Sequence, residues 1–201
     1  MPELPEVETI VRALQANVGA SIKNIEIRRE DILRLQEFTA PQLHGKTIKN
    51  IRRRGKFLIF ELGRNLNLIF HLGMSGRFYM LAAAEEPAEK HVHVIVHLNN
   101  NISLIYQDPR RFGGVWLVRD RERFFCHMGR EPLSSDFTAA YLEDILKQRK
   151  APVKNLLLNQ HLISGIGNIY ADEALFTAGI RPDRPAASLS RQEIKKLHRS
   201  I

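Results

Sequence analysis

The 201-residue chain contains a single cysteine, Cys126. No internal disulfide can form, and a zinc site built from several thiolates is excluded within these residues. A buried, unreactive thiol is the expectation for Cys126. Long apolar runs are also lacking, and no stretch reaches the length needed to span a bilayer. The first twenty residues carry acids at Glu3, Glu6 and Glu8, unlike a secretory signal peptide, so a cytoplasmic protein is expected. Acidic residues are in deficit: 22 Asp and Glu stand against 30 Lys and Arg, a formal net charge of +8. A surplus of that size favours a polyanionic partner, nucleic acid or an anionic surface. Part of it is clustered, in Arg52, Arg53, Arg54 and Lys56 and again in Arg110 and Arg111. The remaining composition, 44% hydrophobic and 26% charged, is that of a globular protein and not of a disordered chain. The length suits one or two domains.

The pattern changes twice along the chain. Pro5 suits a first helical position, and Val7, Ile10, Val11 and Leu14 follow at helical spacing, which predicts a helix over 5–18 closed by Gly19. From about 21 to 118, short β-rich runs ("IKNIEI", "KFLIFEL", "LNLIFHL", "RFYML", "HVHVIVHL", "ISLIY", "GVWLV") alternate with Gly, Asn and charged turns. Such spacing predicts an antiparallel sandwich or barrel. "AAAEEPAEK" (82–90) reads as a solvated hairpin loop. From about 131 the pattern is helical. "SSDFTAAYLEDILKQRK" offers capping serines and an apolar face from Phe137, Tyr141, Leu142, Ile145 and Leu146. "PVKNLLLN" and "NIYADEALFTAG" are shorter helices joined through Gly165 and Gly167. The expected class is therefore α+β: an N-terminal helix with an antiparallel β-sandwich over 1–130, then a helical domain over 131–201. Ser190 and Glu193 have capping-box spacing, with Leu189 and Ile194 as a staple. Ile194, Leu197 and Ile201 continue that stripe with no stop signal, so the expectation is that more chain followed in the parent protein.

Four stretches suggest chemistry, each with a plainer structural use beside it. Proline follows Met1 directly, and initiator methionine is commonly removed before proline. Its removal would expose a secondary amine with a pKa of roughly 8, against about 10.4 for lysine, and a nearby helix N-terminus disfavours the protonated form further. A neutral amine can attack an electrophilic carbon such as a sugar C1′, and the resulting iminium can drive elimination, with Glu3 moving protons. The plain alternative is a helix lead-in. "HLGMSGRF" (71–78) brackets Met74 and Ser75 between Gly73 and Gly76 in a tight turn, with Met74 either an exposed apolar wedge for a base stack or folded into the core. "QDPRRFGG" (107–114) puts two arginines and Phe112 on a loop, either for phosphate contact and base stacking or as a plug for the sheet end. "SGIGNIY" (164–170) leads into a helix that Asn168 could cap, with free N–H groups for a phosphate and Lys154 as counter-charge, or forms a structural hairpin only. His91, His93 and His97 alternate in "HVHVIVH" but lack a carboxylate and span too far along a strand for one ion, so a half-exposed strand face is expected.

With these stretches assembled, the whole chain resembles the formamidopyrimidine-DNA glycosylases. "PELPEVET", "RGKFL", "HLGMSGRF", "DPRRFG" and "SGIGNIYADEALF" occur in that family's order. The resemblance implies a β-sandwich lobe with an N-terminal helix and a helix-two-turn-helix lobe, acting on damaged double-stranded DNA. It implies base-excision repair of oxidised purines (8-oxoguanine and formamidopyrimidines), with AP lyase cleavage through a Schiff base on Pro2. Pro2 and Glu3 would carry the chemistry together with Lys56, which would lie by the phosphates flanking the lesion. His71, Lys154 and Asn168 match phosphate-binding positions. Met74, Arg110 and Phe112 match the trio that fills the gap left by the everted base and engages the orphaned partner base. A monomer without membrane association is expected.

One departure stands out. The family continues into a four-cysteine zinc finger, so zinc is expected only in that segment and no cofactor within these 201 residues. A truncated enzyme of weak activity is the expectation. The alternatives are a non-catalytic DNA-binding module or a relative that prefers oxidised pyrimidines.

Overall fold

The computed structural model describes residues 2–63, 65–82, 84–85, 87 and 90–201. The chain divides into two compact units, one ending at Cys126 and the other spanning His127–Ile201. Gly129 and Arg130 are already tied into the second: the Gly129 N–H donates to the Gln160 carbonyl at 2.9 Å, and Arg130 bridges Ile163.

In the first unit, helix α1 (Leu4–Leu14) starts from Glu3, with Pro5 at its second position, where a missing N–H is tolerated. Val7, Val11 and Leu14 are buried, as their spacing predicts. The helix stops earlier than expected and tightens into a 3-10 turn over Gln15–Asn17. Polar side chains compete for its carbonyls: Gln15 Nε2 donates to Val11 O, and also to Ile51 O outside the helix, and Asn17 Nδ2 to Leu14 O.

Nine strands follow: β1 (Ile22–Ile27), β2 (Leu33–Gln36), β3 (Asn50–Arg54), β4 (Phe57–Glu61), β5 (Asn67–His71), β6 (Arg77–Ala82), β7 (Val92–Leu98), β8 (Ile102–Gln107) and β9 (Gly114–Val118). They form one sheet in the order β1-β7-β8-β6 and another in the order β2-β9-β5-β4-β3. Every strand pair is antiparallel except β2 with β9, which departs from the all-antiparallel expectation. The sequence reading missed β2 and β3. Apart from Leu33 and Leu35, β2 carries no apolar residue, and three of the five residues of β3 are arginines. These two are strands because β9 and β4 supply partners in register, a tertiary effect. Only Ile51 of β3 enters the core, while Arg53 lies against Glu8 of α1 at 3.1 Å and Arg52 against Glu61 at 3.3 Å. Much of that basic cluster is thus neutralised within the unit.

The sheets pack through rings. Phe60 and Phe70 from one meet Phe78 and Tyr106 from the other at centroid distances of 4.9–5.7 Å. Each such buried ring stabilises by about 2–3 kcal/mol. The register aligns Phe57 with His71 and His71 with Gly114, which brings three chain segments side by side at one end of the sheet.

Two expectations are corrected. Cys126 is exposed, not buried: it ends α2 (Arg121–Phe125), whose Phe124 and Phe125 take the apolar places against Phe57. The histidine face is not uniformly half-exposed, since His93 is buried while His97 lies nearer the surface, bonded to Glu26 and Ser103. The loop expected over 82–90 falls largely outside the described residues.

The second unit contains α3 (Ala139–Leu146), α4 (Val153–Leu158), α5 (Asn168–Ala178) and α6 (Arg191–Ser200) around Leu142, Leu146, Leu157, Ile163, Leu175 and Leu197. Thr138, not a serine, caps α3, its Oγ1 accepting from the Tyr141 N–H at 3.1 Å. Ser190 and Glu193 form the expected capping box on α6. His198 of α6 stacks on Phe137 at 5.3 Å and donates from Nε2 to its carbonyl, which docks this helix on the unit. Among the described residues no helix is long and apolar enough to cross a membrane.

Candidate active site

Pro2 is half-buried and Glu3 fully so. Glu3 and Glu6 form a capping box in which Glu6 Oε2 accepts from the Glu3 N–H at 2.9 Å. Lys56 lies in the turn between β3 and β4. Burial pushes its pKa below the usual lysine value, and the nearby Glu3 carboxylate partly opposes that.

His71 ends β5. Its ring packs 4.8 Å from Phe57, and its Nδ1 accepts from the Gly73 N–H at 3.1 Å. That bond assigns the tautomer and leaves Nε2–H as the donor. Burial, and next the positive charge of Lys56, hold the imidazole pKa down to about 4, with Asp108 acting in the opposite direction. His71 is therefore a neutral hydrogen-bond donor near pH 7. Glu3, Lys56 and His71 form a chain of electrostatic neighbours that begins at the residue after Pro2.

The two glycine-rich loops are interlocked. Gly73 has φ +60°, and a Cβ there would lie 2.4 Å from the Gly113 nitrogen. A Cβ on Gly113 would lie 2.2 Å from the His71 carbonyl oxygen and 2.3 Å from the Tyr106 hydroxyl. Only backbone fits between the loops. At their tips Met74 is 46% and Phe112 56% exposed, which decides against both the core-packed Met74 and the sheet-plug Phe112. The Arg110 guanidinium lies 4.6 Å over the Phe112 ring. The structure thus places Pro2, Glu3, Lys56, His71, Met74, Arg110 and Phe112 in one unit, on segments joined through His71 and Gly73.

Lys154 and Asn168 belong to the second unit. Lys154, near the start of α4, donates to Asp172 of α5 at 2.9 Å. Asp172 stands four residues after Asn168 and so shares its helix face. Asn168 is exposed and is the first residue of α5, and Gly167 holds the cap position expected for it. The Gly turn before α5 is fixed by Gln160, which accepts from the Gly165 N–H at 2.8 Å and donates to Ile166 O at 2.8 Å.

Sequence reasoning missed Gln160 and gave Asp108 only the role of starting a turn. Asp108 is fully buried and accepts from Ser75 Oγ at 2.6 Å, the Gly113 N–H at 2.9 Å, the Arg110 N–H at 3.3 Å and the Tyr106 hydroxyl at 3.4 Å. A "DP" following the β-rich run "ISLIYQ" was its only trace. Among the described residues no three His, Cys, Asp or Glu side chains converge to hold a metal ion.

Comparison with known proteins follows the same division. Residues 1–115 match the formamidopyrimidine-DNA glycosylase N-terminal domain, and residues 128–201 match the formamidopyrimidine-DNA glycosylase H2TH domain. The chain is 57% identical over 197 residues to the formamidopyrimidine-DNA glycosylase of Syntrophomonas wolfei, covering 98% of this chain and 74% of that protein. It is 45% identical to the Bacillus subtilis enzyme of the same name, covering 100% of this chain and 75% of the relative. Among solved structures, the Lactococcus lactis enzyme non-covalently bound to DNA with an AP site superimposes with a TM-score of 0.91 at 38% identity, covering 98% of this chain and 78% of that one. The same enzyme with DNA containing FAPY-dG gives 0.91, covering 98% and 76%.

Proposed function

Since the chain belongs to the formamidopyrimidine-DNA glycosylase family, we propose that it excises oxidised purines from double-stranded DNA and cleaves the strand at the resulting abasic site. The observation that carries this is the Glu3–Lys56–His71 chain, which begins at the residue after Pro2, in the same unit as an exposed apolar and cationic trio.

Removal of Met1 frees the Pro2 amine. The positive end of α1 disfavours its protonated form. The amine attacks C1′ of the damaged nucleotide: the N–C1′ bond forms, and the bond from C1′ to the base breaks as the base leaves with a proton. Opening of the C1′–O4′ bond gives an iminium on Pro2. Loss of a C2′ proton then feeds electrons toward the iminium and expels the 3′ phosphate. Glu3 is placed to give and take these protons. Lys56 offers a cation, and His71 a neutral Nε2–H, to the phosphates on either side of the lesion. Met74, Arg110 and Phe112 fill the space the base vacates, which offsets the lost stacking. In the second unit, Lys154 and the start of α5 at Asn168 bind further phosphates.

Borohydride reduction on an 8-oxoguanine duplex, with an abasic duplex in parallel, tests the proposal. The expected result is a covalent adduct on both, mapped by mass to the peptide that begins at Pro2. Trapping on the abasic duplex alone would remove the glycosylase half. No adduct on either, with Met1 confirmed absent, would reduce the chain to a DNA-binding module.

A further inference from the structure

We propose that Ser75 and Asp108 are positioning residues: they latch the loop over 71–76 to the loop over 107–113, so that Met74, Arg110 and Phe112 enter DNA as one preformed body. The inference rests on the proposed repair function and adds how the trio is held.

The trio comes from two loops far apart in sequence. Exposed loop tips of this kind ordinarily move independently, and each would lose freedom on binding. Here one hydroxyl joins them. Ser75 Oγ donates to Asp108 Oδ1 at 2.6 Å and accepts from the Arg110 N–H at 3.2 Å. Ser75 directly follows Met74, so this hydroxyl ties the neighbour of one inserting residue to the backbone N–H of another, Arg110. The second Asp108 oxygen accepts from the Gly113 N–H at 2.9 Å, directly after Phe112. A single buried carboxylate therefore touches the backbone on both sides of the Arg110–Phe112 tip and the neighbour of Met74. Below it, His93 Nε2 donates to the Asp108 carbonyl at 2.8 Å, which fixes the start of the loop from the sheet.

The outer side is also held. Arg34 donates to the Arg111 and Gly113 carbonyls at 3.0 Å each, and Asp31 accepts from Arg111 Nη1 at 3.1 Å. Arg111 itself sits at φ +56°, a conformation a non-glycine residue keeps only when its surroundings impose it. Asp108 has no ion pair among the described contacts and is satisfied by hydroxyl and amide donors, the arrangement of a structural knot. Its placement explains how two exposed tips are held to one another.

Ser75→Ala is the decisive variant, because Ser75 is only partly buried and the change removes one hydroxyl. Ser75→Thr restores that hydroxyl. Insertion is read from 2-aminopurine placed beside a non-cleavable abasic analogue in a duplex, which reports unstacking without requiring chemistry. Single-turnover excision is read on 8-oxoguanine duplexes with cytosine or adenine opposite. In Ser75→Ala the insertion signal should fall and excision should slow by about fivefold to tenfold, the scale of one lost hydrogen bond. The ratio between the two opposite bases should shrink toward one, and Ser75→Thr should recover all three readouts. A purely structural role would lower thermal stability and leave the opposite-base ratio unchanged, which overturns the latch. So does a Ser75→Ala protein that inserts and excises like the wild type. If the wild type neither unstacks 2-aminopurine nor forms a borohydride adduct, the repair function fails, and the latch fails with it.

Discussion

Lowering the pH should protonate His71 only near pH 4, and the unit that carries it should lose stability before that. The free histidine value of 6.5 falls to about 4 in the fold, first because the ring is buried and then because Lys56 is close. The folded state therefore binds this proton more weakly than the unfolded chain does. Between about pH 6.5 and pH 4 the unfolded chain holds the proton and the folded one does not, so stability rises with pH across that window. It is complete above 6.5 and levels off below 4. Moving from 6.5 to about 4 corresponds to roughly 3 kcal/mol at about 1.4 kcal/mol per tenfold change in proton affinity. The reference is His71→Gln, whose amide oxygen can still accept the Gly73 N–H and which does not titrate. Trp116 is the only tryptophan in the chain and packs 5.5 Å from Phe57, so its fluorescence reports unfolding of this unit alone. Urea transitions at pH 7 and pH 4 should show the wild type losing roughly 3 kcal/mol relative to His71→Gln. An imidazole that titrates at 6 or above by NMR, or a wild type that tracks the variant across the window, would refute the burial argument. It would also remove the neutral Nε2–H donor from the proposed mechanism.

Three further outcomes are expected. Phe70→Ala removes a fully buried ring that touches Phe60, Phe78 and Tyr106, and the same urea transition should show a loss of about 3–5 kcal/mol. Gly113→Ala puts a methyl 2.2 Å from the His71 carbonyl oxygen; forcing the loops apart should lower stability by about 1–3 kcal/mol and broaden the amide signals of 72–75 in NMR spectra. Lys154→Ala should weaken DNA binding to a similar extent across sequences and reduce the slope of log K against log salt by about one; an unchanged slope would mean that Lys154 serves only its ion pair with Asp172.

Much of the architecture was legible because the signals were local. The stripe of Val7, Val11 and Leu14 fixes one face of a helix, and the β-rich runs "GVWLV" and "IKNIEI" coincide with strands to the residue. What escaped depended on distant partners. "NIRRR" has no strand signal of its own and is held by β4, while Leu33 and Leu35 found a parallel partner that no turn announces. Cys126 reads as a small apolar residue by type, but its neighbours Phe124 and Phe125 fill the available space.

The candidate site divides in the same way. By itself the sequence determined which chemical groups exist and in what order: an amine at Pro2, a carboxylate next to it, a lysine in a hairpin turn, and an apolar tip and a cationic tip on glycine-bounded loops. These are properties of residue type and near-neighbour spacing, which the chain carries before it folds. Only the tertiary structure decided their states. Burial turned His71 into a neutral donor and lowered the Lys56 pKa, and the close approach of Gly73 to Gly113 joined loops more than thirty residues apart. Desolvation and hydrogen bonding depend on what surrounds a group in space, and for Asp108 those surroundings come from Ser75 as much as from its own loop.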